Sequence, residues 1–273
     1  MQKLQAIGRR PIYVLVFLVG IIAFLWPLGL PVSVQPDTLT VYKALDALPA
    51  GSLVWFGAEY DVSTKPELDP QVVAVFHHLF QKNLKPVIYG MWLRGPTIVQ
   101  GLVEPIAEEY GKQYGVDWIN LGHKPGTSTN LRLMTSNITE GAAGVDHFGK
   151  PLANYPIMRN VTALDKASGF RHVVIAEAGT PGNREYLGIV VKEKAIPMSV
   201  ATLTMSIAEN KPFVVAGDFT GQIPGLRGAA EYEYLVGKAG KGASGTDAQS
   251  LAALLVFGLV VLGNIGYLTS PRR

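Results

Sequence analysis

Residues 52–92 read SLVWFGAEYDVSTKPELDPQVVAVFHHLFQKNLKPVIYGMW, and this stretch decides the fold class. Ser52–Tyr60 is a short apolar run suited to a buried strand, and it ends beside Glu59 and Asp61. Asp69 and Pro70 then supply an N-cap and a first-turn proline, after which Val72, Val73, Val75, Phe76, Leu79 and Phe80 recur at helical spacing. Pro86–Trp92 returns to a strand pattern. A helix between two apolar strands is the crossover that parallel pairing requires.

Working outward, the same alternation continues. The pattern predicts a helix over Pro96–Tyr110, kinked or restarted at Pro105, and a third strand over Val116–Leu121. It predicts a further helix over Ser128–Glu140 and strands over Arg171–Ala178 and Pro212–Asp218. Helices fit Asn183–Glu193 and Gly228–Gly237, while 194–210 suits either type. The expected fold is therefore an α/β domain with a mostly parallel, doubly wound (Rossmann-like) sheet covered on both faces.

Two apolar runs flank this domain. Pro11–Leu30 carries no charge over twenty residues, and about 20 helical residues cross a hydrocarbon core of roughly 30 Å. Leu251–Leu268 is interrupted by one strongly polar residue, Asn264, so the second span is placed at 249–268. Tyr13, Trp26 and Tyr267 stand near span ends, where amphipathic rings sit at headgroup depth. Lys3, Arg9 and Arg10 precede the first span and Arg272 and Arg273 follow the second, which by the positive-inside rule puts tails 1–10 and 269–273 in the cytoplasm. Residues 31–248 then form an extracytoplasmic domain of a two-pass protein of the cell membrane, with a Gly/Ser/Ala-rich linker at 238–247. The first run is too long for a signal-peptide core of about 7–15 residues and lacks an Ala-x-Ala cleavage pattern.

Charge and composition narrow the function. Of 24 Lys and Arg residues, five lie in the tails, leaving 19 against 21 acidic groups in the body. A slightly acidic body is unsuited to neutralising a phosphate backbone, so no nucleic-acid partner is expected. The absence of cysteine excludes disulfides, thiolate metal sites and thiol nucleophiles. The five histidines do not supply a metal site by spacing, since His77 and His78 point about 100° apart on a helix and His123, His147 and His172 lie on separate segments.

In an open parallel sheet, ligands bind beyond the carboxyl ends of the strands. The polar residues expected there are Glu59, Asp61, Arg94, His123, Lys124, Glu177, Thr180 and Asp218. Glu59, Asp61, His123 and Glu177 are the candidate acid–base groups, provided the fold brings them together. Two glycine-rich turns at helix starts offer backbone N–H groups to an anion: Gly122–Ser128, with Lys124, Gly126 and Thr127, and Gly221–Gly228, with Gly225 and Arg227. Neither has the spacing of a P-loop or a dinucleotide fingerprint, so no cofactor is expected. Tight turns that need positive φ explain the same glycines without any ligand. Asn137-Ile138-Thr139 and Asn160-Val161-Thr162 match the glycan acceptor pattern.

The segments EEYGKQYGVDWINLGHKPG (108–126) and TGQIPGLRGAAEYEYL (220–235) resemble a group of prokaryotic membrane proteins with a span at each end. That resemblance implies the two-span architecture and brings no activity or site residues with it. With no Gly-x-Ser-x-Gly elbow, His-Glu-x-x-His helix or kinase set, the sequence favours an interaction or scaffold subunit of a membrane assembly, contacting lipid and either a protein partner or further copies of itself. The other reading is a membrane-anchored binding domain or hydrolase for an anionic or lipid-linked ligand at the strand ends.

Overall fold

The structure, a computed structural model, describes residues 9–25 and 33–268. Its centre is one sheet of six strands, all parallel: β1 (Leu53–Glu59), β2 (Lys85–Gly90), β3 (Ile119–His123), β4 (Phe170–Glu177), β5 (Met198–Thr202) and β6 (Gly221–Pro224), in the order β3-β2-β1-β4-β5-β6. Every residue of β1 is buried because the strand lies mid-sheet with helices on both sides. Successive side chains point to opposite faces. Val54, Phe56 and Ala58 therefore enter one hydrophobic cluster, and Leu53 and Trp55 enter the other.

The first face is covered by α2 (Pro36–Asp46), α3 (Lys65–Gln81), α4 (Gly95–Glu109) and α9 (Gly225–Val236), where Phe56 meets Phe76 at a ring separation of 4.8 Å. The second face is covered by α5 (Thr127–Met134), α6 (Ile138–Gly141), the loop through Leu152 and Leu164, and α7 (Asn183–Tyr186), which runs into π-helical Leu187–Lys192. Helix α8 (Ile207–Val215) lies between β5 and β6 and adds Phe213 and Val214 to that cluster.

Several local expectations are corrected. Helix α3 begins at Lys65, not Asp69, because Pro66 already fills the first turn and Asp61 caps the 3₁₀ turn that leads in. Pro70 sits inside the helix, and Asp69 instead accepts a 3.0 Å hydrogen bond from the Tyr60 hydroxyl. Helix α4 runs through Pro105 without restarting. The helix expected over 128–140 is two, since the Asn137 side chain accepts from the Glu140 N–H at 3.1 Å and starts α6 afresh.

The strand expected over Pro212–Asp218 is helix α8 and the turn after it; a short apolar run has no period long enough to separate helix from strand. The last two strands are β5, inside the segment 194–210 that suited either type, and β6.

The carboxyl-terminal helix α10 (Lys241–Leu268) contains one stretch, Lys241–Ile265, of 25 residues, whose most apolar 18-residue window has a mean hydropathy of 2.0, long and apolar enough to cross a membrane. The expected linker at 238–247 is helical from Lys241 onward. The Glu233 carboxylate accepts the N–H groups of Gly240, Gly242 and Ala243 at 3.1, 2.8 and 2.8 Å, so the amino end of α10 is capped by the domain itself. Helix α1 (Arg9–Leu25) is apolar but only 17 residues long, and the rest of the first expected span, 26–30, lies outside the described residues. One membrane-span candidate is thus present among the described residues, where two were expected. Helix α1 packs on α10, with Ile12, Tyr13, Val16 and Phe17 facing Val256, Leu259 and Val260.

Candidate functional site at the strand crossover

Strand order reverses between β1 and β4, and in a doubly wound sheet that reversal opens the carboxyl ends of these two strands. Glu59 ends β1, Glu177 ends β4, and the two are register partners. Two of the four predicted acid–base candidates are therefore brought side by side at the crossover.

Glu59 is fully buried. Its Oε2 accepts the backbone N–H groups of Met91 at 2.8 Å and Trp92 at 3.2 Å, and its Oε1 accepts the Tyr186 hydroxyl at 2.8 Å. Tyr186 in turn accepts the Trp55 indole N–H at 3.3 Å. Burial pushes the Glu59 carboxyl up to about 8, opposed by the hydrogen bonds from Tyr186, Met91 and Trp92. A neutral Glu59 keeps its contacts if the bond to Tyr186 reverses, with the carboxyl proton donated to the phenol oxygen.

Glu177 is also buried, and its neighbours are different. Its Oε1 accepts from Thr202 Oγ1 at 3.1 Å, Asn210 Nδ2 at 3.2 Å and Asn183 Nδ2 at 3.4 Å. Asn183 also donates to Asn210 Oδ1 at 2.6 Å, which closes the network. Desolvation raises the Glu177 pKa, opposed by the hydrogen bonds from Asn210 and Thr202. The two carboxyl groups thus face separate sets of donors, and neither is presented to solvent.

The other two acid–base candidates do not join them. Asp61 accepts from the Val62 N–H at 2.6 Å and lies 3.8 Å from Arg94 in an exposed ion pair. His123 ends β3, on the sheet's edge, with Nδ1 3.3 Å from the Gly90 carbonyl oxygen. Among the described residues no hydrogen bond links Glu59, Asp61, His123 and Glu177 to one another.

The expected ligand-binding residues are dispersed as well. Lys124 donates to the Val145 carbonyl at 3.2 Å, and desolvation lowers its pKa. Gly126 and Thr127 have φ of +108° and +45° at the start of α5, and Gly126 borders a surface hollow with Thr129, Asn130 and Arg132. Thr180 precedes a cis Pro181, whose carbonyl accepts the Trp92 indole N–H at 2.7 Å. Gly225 is required by packing, since a Cβ there would stand 2.2 Å from Thr204 Oγ1. Arg227 is committed to the buried Glu231 at 3.0 Å. Asp218 is corrected outright: it precedes β6 at the amino edge of the sheet and pairs with Lys192.

Sequence reasoning missed Tyr186, Thr202, Asn183 and Asn210, the side chains that occupy the two carboxylates, and Trp55, which donates to Tyr186. Asn210 and Thr202 fall in the segment whose type the pattern left open, so nothing local marked them. No group of three or more His, Asp or Glu that would hold a metal ion occurs among the described residues. No protein-family model, curated protein or solved structure matches the chain.

Proposed function

We propose that this chain is a membrane-anchored α/β subunit that presents a fixed face to an assembly partner, either another protein or further copies of itself. The observation that carries the reading is the junction between domain and anchor. A freely acting domain is served by a flexible tether, whereas here the anchor helix grows out of the domain. The Glu233 carboxylate holds three N–H groups at its start, and a Cβ on Gly242 would come within 2.7 Å of the Ala230 backbone nitrogen. Gly242, Ser244, Gly245 and Asp247 of α10 are buried, so one face of its first turns is covered by the domain. The orientation of the domain is thereby tied to the helix direction, which a scaffold needs and a tethered enzyme does not.

Helix α10 as a span, α1 with residues 26–30 as a second span, both tails cytoplasmic and the domain outside form the topology that goes with this reading. The basic residues Lys3, Arg9, Arg10, Arg272 and Arg273 support it. The alternative, a hydrolase or binding domain at the strand ends, draws no support from carboxylates that are each enclosed by their own donors.

Native mass spectrometry of the full chain, extracted in mild detergent from its own membrane, tests the proposal. A stoichiometric partner chain or a homo-oligomer is the expected result. A bare monomer with no co-purifying chain overturns it.

A further inference from the structure

Helix α10 leaves the domain in one direction only. Gly242 packs on Ala229 and Ala230, Gly245 on Leu226, and Thr246 Oγ1 donates to the Leu226 carbonyl at 3.2 Å, so α10 runs antiparallel to α9. Leu226 follows directly on the carboxyl end of β6. One turn later Ala248 lines a hollow with Lys65 and Pro66, which begin α3 just beyond the carboxyl end of β1. The apolar run from Leu251 therefore starts about 5 Å past the carboxyl edge of the sheet, at 1.5 Å per residue. The headgroup layer on one side of a bilayer is about that thick.

The same edge carries an unusual set of side chains. Among the described residues outside α1 and α10, six large hydrophobic residues are exposed, and three of them stand here. Val62 follows β1, Leu93 follows β2 and Met205 follows β5, at 52%, 71% and 84% exposure. Nearby charges are mixed, since Lys65 faces Asp69 and Arg94 faces Asp61, so charge alone supplies little attraction to lipid.

We infer that the carboxyl edge of the sheet rests on the headgroup layer of the membrane that α10 crosses, with Val62, Leu93 and Met205 inserted into the interface. This rests on the reading of α10 as a span. Burying three exposed apolar side chains in the interface is favourable, and the anchor already holds them at that depth, so little further ordering is required. The carboxyl edge, where doubly wound sheets bind ligands, then faces lipid.

Because the chain has no cysteine, single sites can be labelled cleanly. Val62→Cys, Leu93→Cys and Met205→Cys, with Val215→Cys at the opposite edge and Val256→Cys within α10, would each carry an environment-sensitive fluorophore in the full chain. The protein is reconstituted in phosphatidylcholine vesicles with or without a spin-labelled lipid quencher. Loss of emission at 62, 93, 205 and 256, and none at 215, is expected. Quenching at 256 alone overturns the inference and leaves the span intact, whereas no quenching anywhere removes the span as well. A blue shift at 62, 93 and 205 without lipid quenching gives the edge to a protein surface and overturns the inference, as does equal quenching at 215.

Discussion

Glu59 and Glu177 are register partners at the carboxyl ends of β1 and β4, yet each carboxylate is met by a different set of donors. Two acidic groups at a strand crossover would ordinarily suggest a shared proton and a reaction site. Here Tyr186 closes one and the Thr202–Asn210 pair closes the other, so the crossover is sealed by the domain's own side chains.

The protonation of Glu59 gives stability a pH dependence. Its pKa is raised from 4.5 to about 8 in the folded chain, so the native state holds a proton that the unfolded chain loses between those values. The stability it contributes is full below 4.5 and is lost as pH rises through about 8, by up to roughly 5 kcal/mol. Glu59→Gln, with its amide donating to Tyr186, is expected to be as stable as the parent near pH 5 and more stable at pH 8.5. Thermal unfolding in detergent across that range checks it, and parallel curves for the two proteins would contradict the assignment.

Gly57 leaves room for the Tyr186 ring. A Cβ at this position would lie 2.7 Å from Ile175 Cγ2 and 2.9 Å from the Tyr186 hydroxyl oxygen. Gly57→Ala is expected to cost about 1–3 kcal/mol through overpacking and to displace Tyr186 from Glu59. Denaturation midpoints measure the first effect, and the Trp55 share of the tryptophan emission, isolated from the other three tryptophans by a Trp55→Phe control, reports the second through the lost indole N–H bond.

His172 is fully buried, and desolvation lowers its pKa from 6.5 to about 4 while Nε2 lies 2.8 Å from Ser199 Oγ. The neutral ring contributes stability that is full above pH 6.5 and is lost as pH falls to about 4, about 3 kcal/mol in all. Imidazole nitrogen shifts at pH 5.5 are expected to show a neutral ring in the folded protein. A protonated ring at that pH would be the wrong outcome.

Glu233→Ala removes the acceptor of three N–H groups at the start of α10. The expected cost is about 1–3 kcal/mol, concentrated at the junction. Hydrogen exchange should quicken over residues 240–247 while β1 and β4 keep their protection. Uniform loss across the sheet would make Glu233 a core residue and not a joint.

The two carboxylates show how far the sequence carried the reading of the site. Both were legible as strand-end groups, because an apolar run followed by an acidic residue marks the end of a buried strand. Their neighbours were not, since Tyr186 and Asn210 reach Glu59 and Glu177 from 127 and 33 residues away along the chain. Asp218 was misplaced for a related reason: the run before it is apolar but too short to show a period, and β6 begins three residues later.

The sequence by itself determined the parallel α/β class, the strands β1, β2 and β4, and the apolar character of both ends, because these depend on the spacing of residues close together in the chain. Strand order, the β1–β4 crossover, the Glu233 cap that turns an apparent linker into helix, and the edge of the sheet from which α10 departs were decided only by the tertiary structure. Each of these depends on contacts between segments far apart in the chain, which local periodicity does not encode.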